Sequence, residues 1–184
     1  MDNTLRVTLV CNAGLLLEYH GTTLLLDGIY GKEGHPFSNL TPQVWKQMKA
    51  GEPPFEKIDY LLFTHAHPDH ICGQEYLERT YGLSAIIQPA EGRLPIEGFG
   101  IQVISTPGHK EDCVCYYLPE EDVLFTGDTL FQESIGRTDL PGGDMHQLML
   151  SLRKLVVLPE QTKVYPGHGY PTSIAHERQY NPYL

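Results

Sequence analysis

The segment FTHAHPDH, residues 63–70, places His65, His67, Asp69 and His70 within six positions. Imidazole and carboxylate groups bind metal ions and move protons near neutral pH. A lone histidine ordinarily reads as a surface or satisfied core residue. Four such groups this close together, buried without a cation, would leave many polar atoms in need of partners. In an extended segment, residues two apart point the same way, so His65 and His67 can reach one ion. Pro68 then turns the chain and re-aims Asp69 and His70 toward a second point, and Asp69 could also cap a following helix. Three more candidates share one pattern: an apolar run, a small or turn-forming residue, then a ligand type. They are His109 in STPGHKED, Asp128 in LFTGDTLF and His168 in VYPGHGY. Singly, each reads as a turn Asp or a loop His. Four strand ends that carry such residues suggest one rim.

The elements that must hold these residues are legible from periodicity and punctuation. RVTLV (6–10), LLLEY (15–19) and TTLLLD (22–27) read as strands joined by turns at Asn12–Gly14 and Gly21. Thr41, Pro42 and Gly51 bracket a helix as cap, first position and stop. IDYLLFT (58–64) is a short apolar run expected of a buried strand, and 71–81 reads as a helix stopped by Gly82. Further strands are expected at 84–88, 100–106, 113–118, 122–127 and 162–167, with a short helix near 173–180. Residues 144–158 make the best helix: Asp144 and Gln147 form a capping-box pattern, and Leu148, Leu152, Leu155 and Val156 share a face that reads as core packing. Interleaved strands and helices, strand-rich in both halves, predict an α/β (α+β) chain of two packed sheets with helices outside.

Composition narrows the function classes. The chain has 184 residues, ordinary apolar and charged fractions, and a formal net charge of -10, which suits a single domain over 1–184. Its thirteen Lys and Arg are scattered, so no nucleic-acid partner is expected. No apolar run approaches the ~20 residues of a membrane span, and the first residues lack a signal-peptide pattern. The expectation is a cytoplasmic protein acting on a small molecule, with no membrane partner and an oligomeric state left open. Cys11, Cys72, Cys113 and Cys115 form no CxxC pair and read as buried, reduced thiols.

With THAHPDH, TPGH, FTGDTLF, SIGRTDLPGGD and YPGHGYPTSIAHERQYNPYL in this order, the sequence over roughly residues 58–184 closely resembles the metallo-β-lactamase superfamily, and within it the glyoxalase II-like hydrolases. The resemblance implies an αββα sandwich of two mixed sheets with a two-metal site on one edge. Position by position, it assigns His65, His67 and His109 to one metal and Asp69, His70 and His168 to the other, with Asp128 bridging. All seven positions hold the expected residue type. Two divalent ions ~3.5–4 Å apart can share a hydroxide that attacks at neutral pH, and Asp69 would orient it as well as bind metal. Zinc is the first expectation; iron and manganese also suit imidazole and carboxylate ligands.

The same resemblance implies hydrolysis of a thioester such as S-lactoylglutathione, with two departures. Glyoxalase II proper has a C-terminal helical domain that helps hold glutathione, and none follows here before Leu184. Its loop after the bridging Asp carries a Lys and a Tyr, where this chain has Arg137 and Asp139. Arg137 could pair with a substrate carboxylate or be a structural loop residue; Lys110 is a second contact candidate. Relatives often place His or Ser where Cys113 stands. Residues 28–57 do not match the glyoxalase II pattern; they could form a lid, with Phe37 and Trp45 lining the pocket or packing on the scaffold. Rival readings are a persulfide dioxygenase with a single iron, whose family shares the GRTD loop, a lactonase or β-lactam hydrolase, and a non-catalytic relative of the fold.

Overall fold

The structure, a computed structural model, describes residues 4–29 and 40–184. It divides into two compact units. The first runs to Ile87 and takes in Glu97–Phe99; the second holds Gln88–Ile96 and Gly100–Leu184. Each contains a mixed sheet with helices, so the α/β class holds. Phe37, and residues 30–39 of the expected lid, lie outside the described residues.

In the first unit the strands are β1 (Arg6–Cys11), β2 (Gly14–Tyr19) and β3 (Thr22–Leu26), followed by helix α1 (Pro42–Ala50) and strand β4 (Tyr60–Leu62). Helices α2 (Pro68–Ile71) and α3 (Gln74–Tyr81) and strand β5 (Ala85–Ile86) complete it. The sheet order is β1-β2-β3-β4-β5. The first three strands are antiparallel; β4 and β5 join in parallel. His20 and Gly21, both at positive φ, make the two-residue turn between β2 and β3, as a type I′ hairpin requires. The leucine runs of β2 and β3 are buried throughout their centres, which is why they read as continuous rather than alternating. The core joins Leu16, Leu25, Leu61 and Phe63 to Met48 of α1 and Leu77 of α3. Trp45 packs against this core beside Tyr76, which settles its role as scaffold. Thr41 caps α1 by accepting from the Val44 amide, and Gly51 ends it in the left-handed region. The expected single helix over 71–81 is instead two pieces. A Cβ on Gly73 would lie 2.4 Å from Ile29 Cγ1 and 2.7 Å from its carbonyl oxygen, so the chain breaks where Ile29 crosses it.

The second unit holds β6 (Gly92–Arg93), β7 (Gln102–Ser105), β8 (Val114–Leu118) and β9 (Val123–Gly127), then the small hairpin β10 (Leu130–Phe131) and β11 (Ser134–Ile135). Helix α4 (Met145–Leu155), strands β12 (Lys163–Pro166) and β13 (Thr172–Ser173) and helix α5 (Ile174–Tyr180) follow. The sheet order is β13-β12-β9-β8-β7-β6, with only β12 and β9 parallel. The predicted stripe of α4 holds at Leu148, Leu152 and Leu155, fully buried against Cys115, Leu124 and Val164; Val156 instead ends the helix as its C-cap and is half-buried. Asp144 caps α4 by accepting from the Gln147 amide at 3.0 Å. Cys11, Cys113 and Cys115 are buried as expected, but Cys72 is exposed. It is the C-cap of the short α2, and its Sγ donates to the Ile29 carbonyl at 3.2 Å. Among the described residues no helix is long and apolar enough to cross a membrane.

Candidate metal centre

Every expected ligand stands just past the C-terminal end of a strand. His65, His67, Asp69 and His70 follow β4; His109 follows β7, Asp128 follows β9 and His168 follows β12. In the first unit, the parallel register of β3 and β4 brings Asp27 beside Thr64. The Thr64 amide donates to Asp27 Oδ1 at 2.8 Å, and the Thr64 hydroxyl lies 2.9 and 3.0 Å from the two carboxylate oxygens. His70 Nδ1 is 3.0 Å from Asp27 Oδ2, and both side chains are buried.

These contacts set two imidazole tautomers. A carboxylate only accepts, so His70 carries its proton on Nδ1. The Thr64 hydroxyl gives its single proton to Asp27 and therefore accepts from His65 Nδ1, 3.1 Å away. Both rings then present an Nε2 lone pair. His65 Nε2 faces His67 Nδ1 at 3.0 Å, and His70 Nε2 faces Asp69 Oδ2 at 3.7 Å. The turn after β1 supports this segment, since the Asn12 amide donates to the Asp69 carbonyl at 3.3 Å. A Cβ on Gly28 would lie 2.1 Å from the His70 carbonyl oxygen, so that approach requires glycine. Asp69 is not a helix cap: His67 occupies the cap of α2, and Asp69 sits in its first turn.

In the second unit, His109 Nδ1 donates to the Arg137 carbonyl at 2.7 Å, which again leaves Nε2 as the lone-pair atom. Asp128 is buried. Its Oδ2 lies 3.6 Å from His109 Nε2 and 3.5 Å from His168 Nε2, so one oxygen stands between the two rings. The loop after β11 presses on both residues. A Cβ on Gly136 would fall 1.9 Å from the Asp128 carbonyl oxygen and 3.0 Å from His109 Cβ. Buried Glu177 of α5 pins the same hairpin. It accepts from the Glu133 amide, the Thr172 hydroxyl and the Asn181 side chain at 2.9, 2.6 and 2.8 Å.

The donor set fits divalent cations. Bonds of ~2.0–2.1 Å place ligand atoms ~3.4 Å apart around a tetrahedral ion and ~2.9 Å apart around an octahedral one. The spacings within each unit run from 3.0 to 3.7 Å, inside that range or up to about 0.3 Å beyond it. Two imidazole lone pairs 3.0 Å apart also repel, unless a proton or a metal ion lies between them.

The two expected substrate contacts are each already engaged. Arg137 is exposed and forms a bidentate pair with Asp139, Nε to Oδ1 at 2.7 Å and Nη2 to Oδ2 at 2.6 Å. The Arg137 hydrogen bonds hold the Asp139 carboxyl down at about 2, and the pairing raises the guanidinium pKa in turn. Lys110 Nζ lies 2.9 Å from Asp112 Oδ2. Asp27 and Thr64 were not among the expected site residues, although Asp27 ends the apolar run TTLLLD in the same way as the ligands end theirs.

Comparison with known proteins agrees with this geometry. The family profile described as the metallo-β-lactamase superfamily matches residues 9–100 and 91–168. The probable metallo-hydrolase YqgX of Bacillus subtilis is 34% identical, with 67% of this chain and 74% of that protein covered. A hydroxyacylglutathione hydrolase of Brucella anthropi is 41% identical over 64% of this chain, which spans only half of that enzyme. Among solved structures, the BLEG-1 B3 metallo-β-lactamase has a TM-score of 0.78 at 27% identity, covering 98% of this chain and 99% of that one. TTHA1623 in a di-iron-bound form has a TM-score of 0.69 at 30% identity, covering 100% and 97%. ETHE1 from Myxococcus xanthus has a TM-score of 0.72 at 28% identity, covering 97% and 83%. By profile, by relatives and by fold, the chain belongs to the metallo-β-lactamase superfamily, whose members named here include metallo-hydrolases.

Proposed function

We propose that the two ligand sets form one centre for two divalent ions and that the protein hydrolyses a thioester, with S-lactoylglutathione the first compound to assay. In this reading the two units are halves of one domain. His65, His67 and His109 would hold one ion, Asp69, His70 and His168 the other, and Asp128 would be available to both. The observation that carries it is the complete donor set with its tautomers already fixed: Asp27 and Thr64 set His70 and His65, and the Arg137 carbonyl sets His109.

Such ions, when bound, lower the pKa of water to ~7 and polarise the carbonyl under attack. The chain's own groups do the rest. The Asp69 carboxylate accepts a hydrogen bond from the attacking water and aligns it. Asp27 and the Arg137 carbonyl keep the Nδ1 protons of His70 and His109 away from the ligating edge. No Ser or Cys nucleophile is required, and buried Cys113 and Cys115 take no part. Zinc is the expected metal; the likeness to a di-iron protein makes iron its rival.

The test is metal content and hydrolysis of the purified full chain. Two ions per chain with thioester turnover are expected. His65→Ala and Asp128→Ala should each lower kcat/KM by at least roughly 100-fold. Full metal loading without turnover of any thioester would sink the reading. One iron per chain with oxygen uptake would replace it with the dioxygenase reading, the rival raised by the GRTD loop at residues 136–139.

A further inference from the structure

We propose that Glu177 is a positioning residue for the ligands of the second unit: by clamping the tip of the β10–β11 hairpin it keeps the Arg137 carbonyl on His109 Nδ1, and so fixes which nitrogen of that ring is left to bind. That His109 and Asp128 bind an ion rests on the reading above; the placement of the His109 proton does not.

The hairpin has little to hold it up by itself. Its strands are two residues each, with Leu130 opposite Ile135 and Phe131 opposite Ser134, and even longer isolated hairpins are marginal in water. The turn between them is Gln132–Glu133, and Glu133 sits at φ 53°, in the left-handed region where glycine or asparagine is preferred. Leu130 and Ile135 bury the base in the core that also holds Leu148 and Ile174. Apolar burial is non-directional, whereas the 2.7 Å bond from His109 Nδ1 needs the Arg137 carbonyl aimed at one atom.

The direction comes from α5. Glu177 is 0% exposed, and its Oε2 accepts from the Glu133 amide at 2.9 Å and from Asn181 Nδ2 at 2.8 Å. The same Asn181 nitrogen donates to the Ser134 carbonyl at 3.1 Å, and Glu177 Oε1 accepts from the Thr172 hydroxyl at 2.6 Å. One carboxylate and one amide, from α5 and its C-cap, thus catch the Glu133 N–H and the Ser134 C=O. His176 Nε2 also lies 2.8 Å from the Glu133 carboxylate, a partly exposed tie that adds little. Each arm of the hairpin runs into the candidate ligands. One begins two residues after Asp128 and sets the Phe131 ring 6.3 Å from that of His168. The other leads through Gly136, pressed on the Asp128 carbonyl and His109 Cβ, to the Arg137 carbonyl. Releasing the tip frees a carbonyl only four residues beyond Glu133, and His109 then loses the acceptor that holds its proton on Nδ1.

The test uses the full chain, first metal-free, with nitrogen-15 NMR of the imidazoles at one pH. Wild-type His109 should carry its proton on Nδ1. Glu177→Ala should shift its tautomer ratio toward Nε2–H by roughly three- to tenfold, the worth of one hydrogen bond. Glu177→Gln should restore the wild-type ratio, because its oxygen can face the Glu133 and Asn181 donors while its NH2 donates to the Thr172 hydroxyl. Leu77→Ala empties a buried position in the first unit; it controls for lost stability and should leave His109 unmoved. Should Glu177→Ala not fold, Asn181→Ala removes the hold on Ser134 alone and should shift the ratio in the same direction. Zinc affinity, read by calorimetry, should fall roughly three- to tenfold in Glu177→Ala, less than for a residue bonded to a ligand itself, and recover in Glu177→Gln. An unmoved His109 proton in a folded Glu177→Ala chain, or failing that in Asn181→Ala, would overturn the inference whether or not the protein turns over a thioester. So would a Glu177→Gln chain that behaves like Glu177→Ala. A shifted proton in a protein that binds no zinc would uphold the inference and sink the reading of a metal centre.

Discussion

Replacing Asp27 by Asn tests whether a residue that touches no ion governs metal binding. Asp27 is 2% exposed and accepts from the Thr64 amide, the Thr64 hydroxyl and His70 Nδ1. An Asn side chain has the same shape but offers one acceptor and one donor. With its oxygen toward the Thr64 amide, its NH2 meets His70 Nδ1–H, and the ring relieves the clash by moving its proton to Nε2. That is the atom facing Asp69 and the one expected to ligate. With the amide reversed, the NH2 meets the Thr64 N–H, leaving a buried backbone donor without an acceptor at ~1–3 kcal/mol. The reversed orientation spares His70 but carries that cost, so the first is the expected one, and in it the mutation acts on His70 more than on His65, because Thr64 can still donate to the Asn oxygen. The expected outcome is a 10–100-fold loss of affinity at the Asp69/His70/His168 site, or ~1.4–2.7 kcal/mol, with a smaller change at the other site. Asp27→Ala removes every acceptor and should unfold more easily by ~3–5 kcal/mol, as for a broken buried pair. Zinc titration calorimetry reads the affinities, and nitrogen-15 NMR of the imidazoles reads the tautomer. Wild-type affinity at both sites, or a His70 ring in the variant that still carries its proton on Nδ1, would refute the tautomer argument.

Other substitutions follow from the same geometry. Gly136→Ala drives a methyl into the Asp128 carbonyl and should cost bound metal and activity together; normal metal content would show that the loop yields. Leu152→Ala empties a fully buried position of α4, and urea unfolding should show a loss of ~2–5 kcal/mol. In the native chain only exposed Cys72 should react quickly with a thiol reagent at pH 8, because burial raises the Cys113 thiol and lifts Cys115 to about 11. The same shifts fix an alkaline limb. The unfolded thiols lose protons first as pH climbs past ~8.5, so stability should fall toward pH 11 by up to ~1.4 kcal/mol per pH unit for each buried thiol. Cys115→Ala should flatten that limb in urea titrations between pH 8 and 10.

The candidate ligands were legible because they sit where local pattern is loudest, at the ends of apolar strands behind Pro, Gly or a tight turn. The α4 stripe and the caps at Thr41 and Asp144 were legible for the same reason: their partners lie within four residues. Asp27 was not, because its partner Thr64 is 37 residues away and is brought near only by the parallel register of β3 and β4. Of the two-residue strands, only β5 lies in an apolar run that could be read; β6, β10, β11 and β13 carry too little sequence to show a period, and they owe their existence to the strands beside them. The part that Arg137 plays toward His109 was invisible in principle, since it is made by a carbonyl that every residue type possesses. The guanidinium suggested a substrate contact; instead the backbone carbonyl accepts from His109, and the side chain turns to Asp139.

Both units use one device. An imidazole that could bear its proton on either nitrogen is given a fixed acceptor at Nδ1, Asp27 or Thr64 in the first unit and the Arg137 carbonyl in the second. Each acceptor is set by the fold itself: a strand register in one case, a glycine-dependent loop in the other. The proton is therefore positioned when the chain folds, and a cation does not have to reorganise these three rings to use them. His67 differs, since it meets His65 through Nδ1 at 3.0 Å: it either shares its proton across that gap or, for Nδ1 to ligate, carries it on Nε2. Metal uptake should accordingly move the His67 proton to Nε2 while leaving the Nδ1 protons of His65, His70 and His109 in place. Nitrogen-15 NMR of the imidazoles before and after zinc addition reads the four tautomers; a shift of the proton in His65, His70 or His109 would mean that those tautomers are not preset.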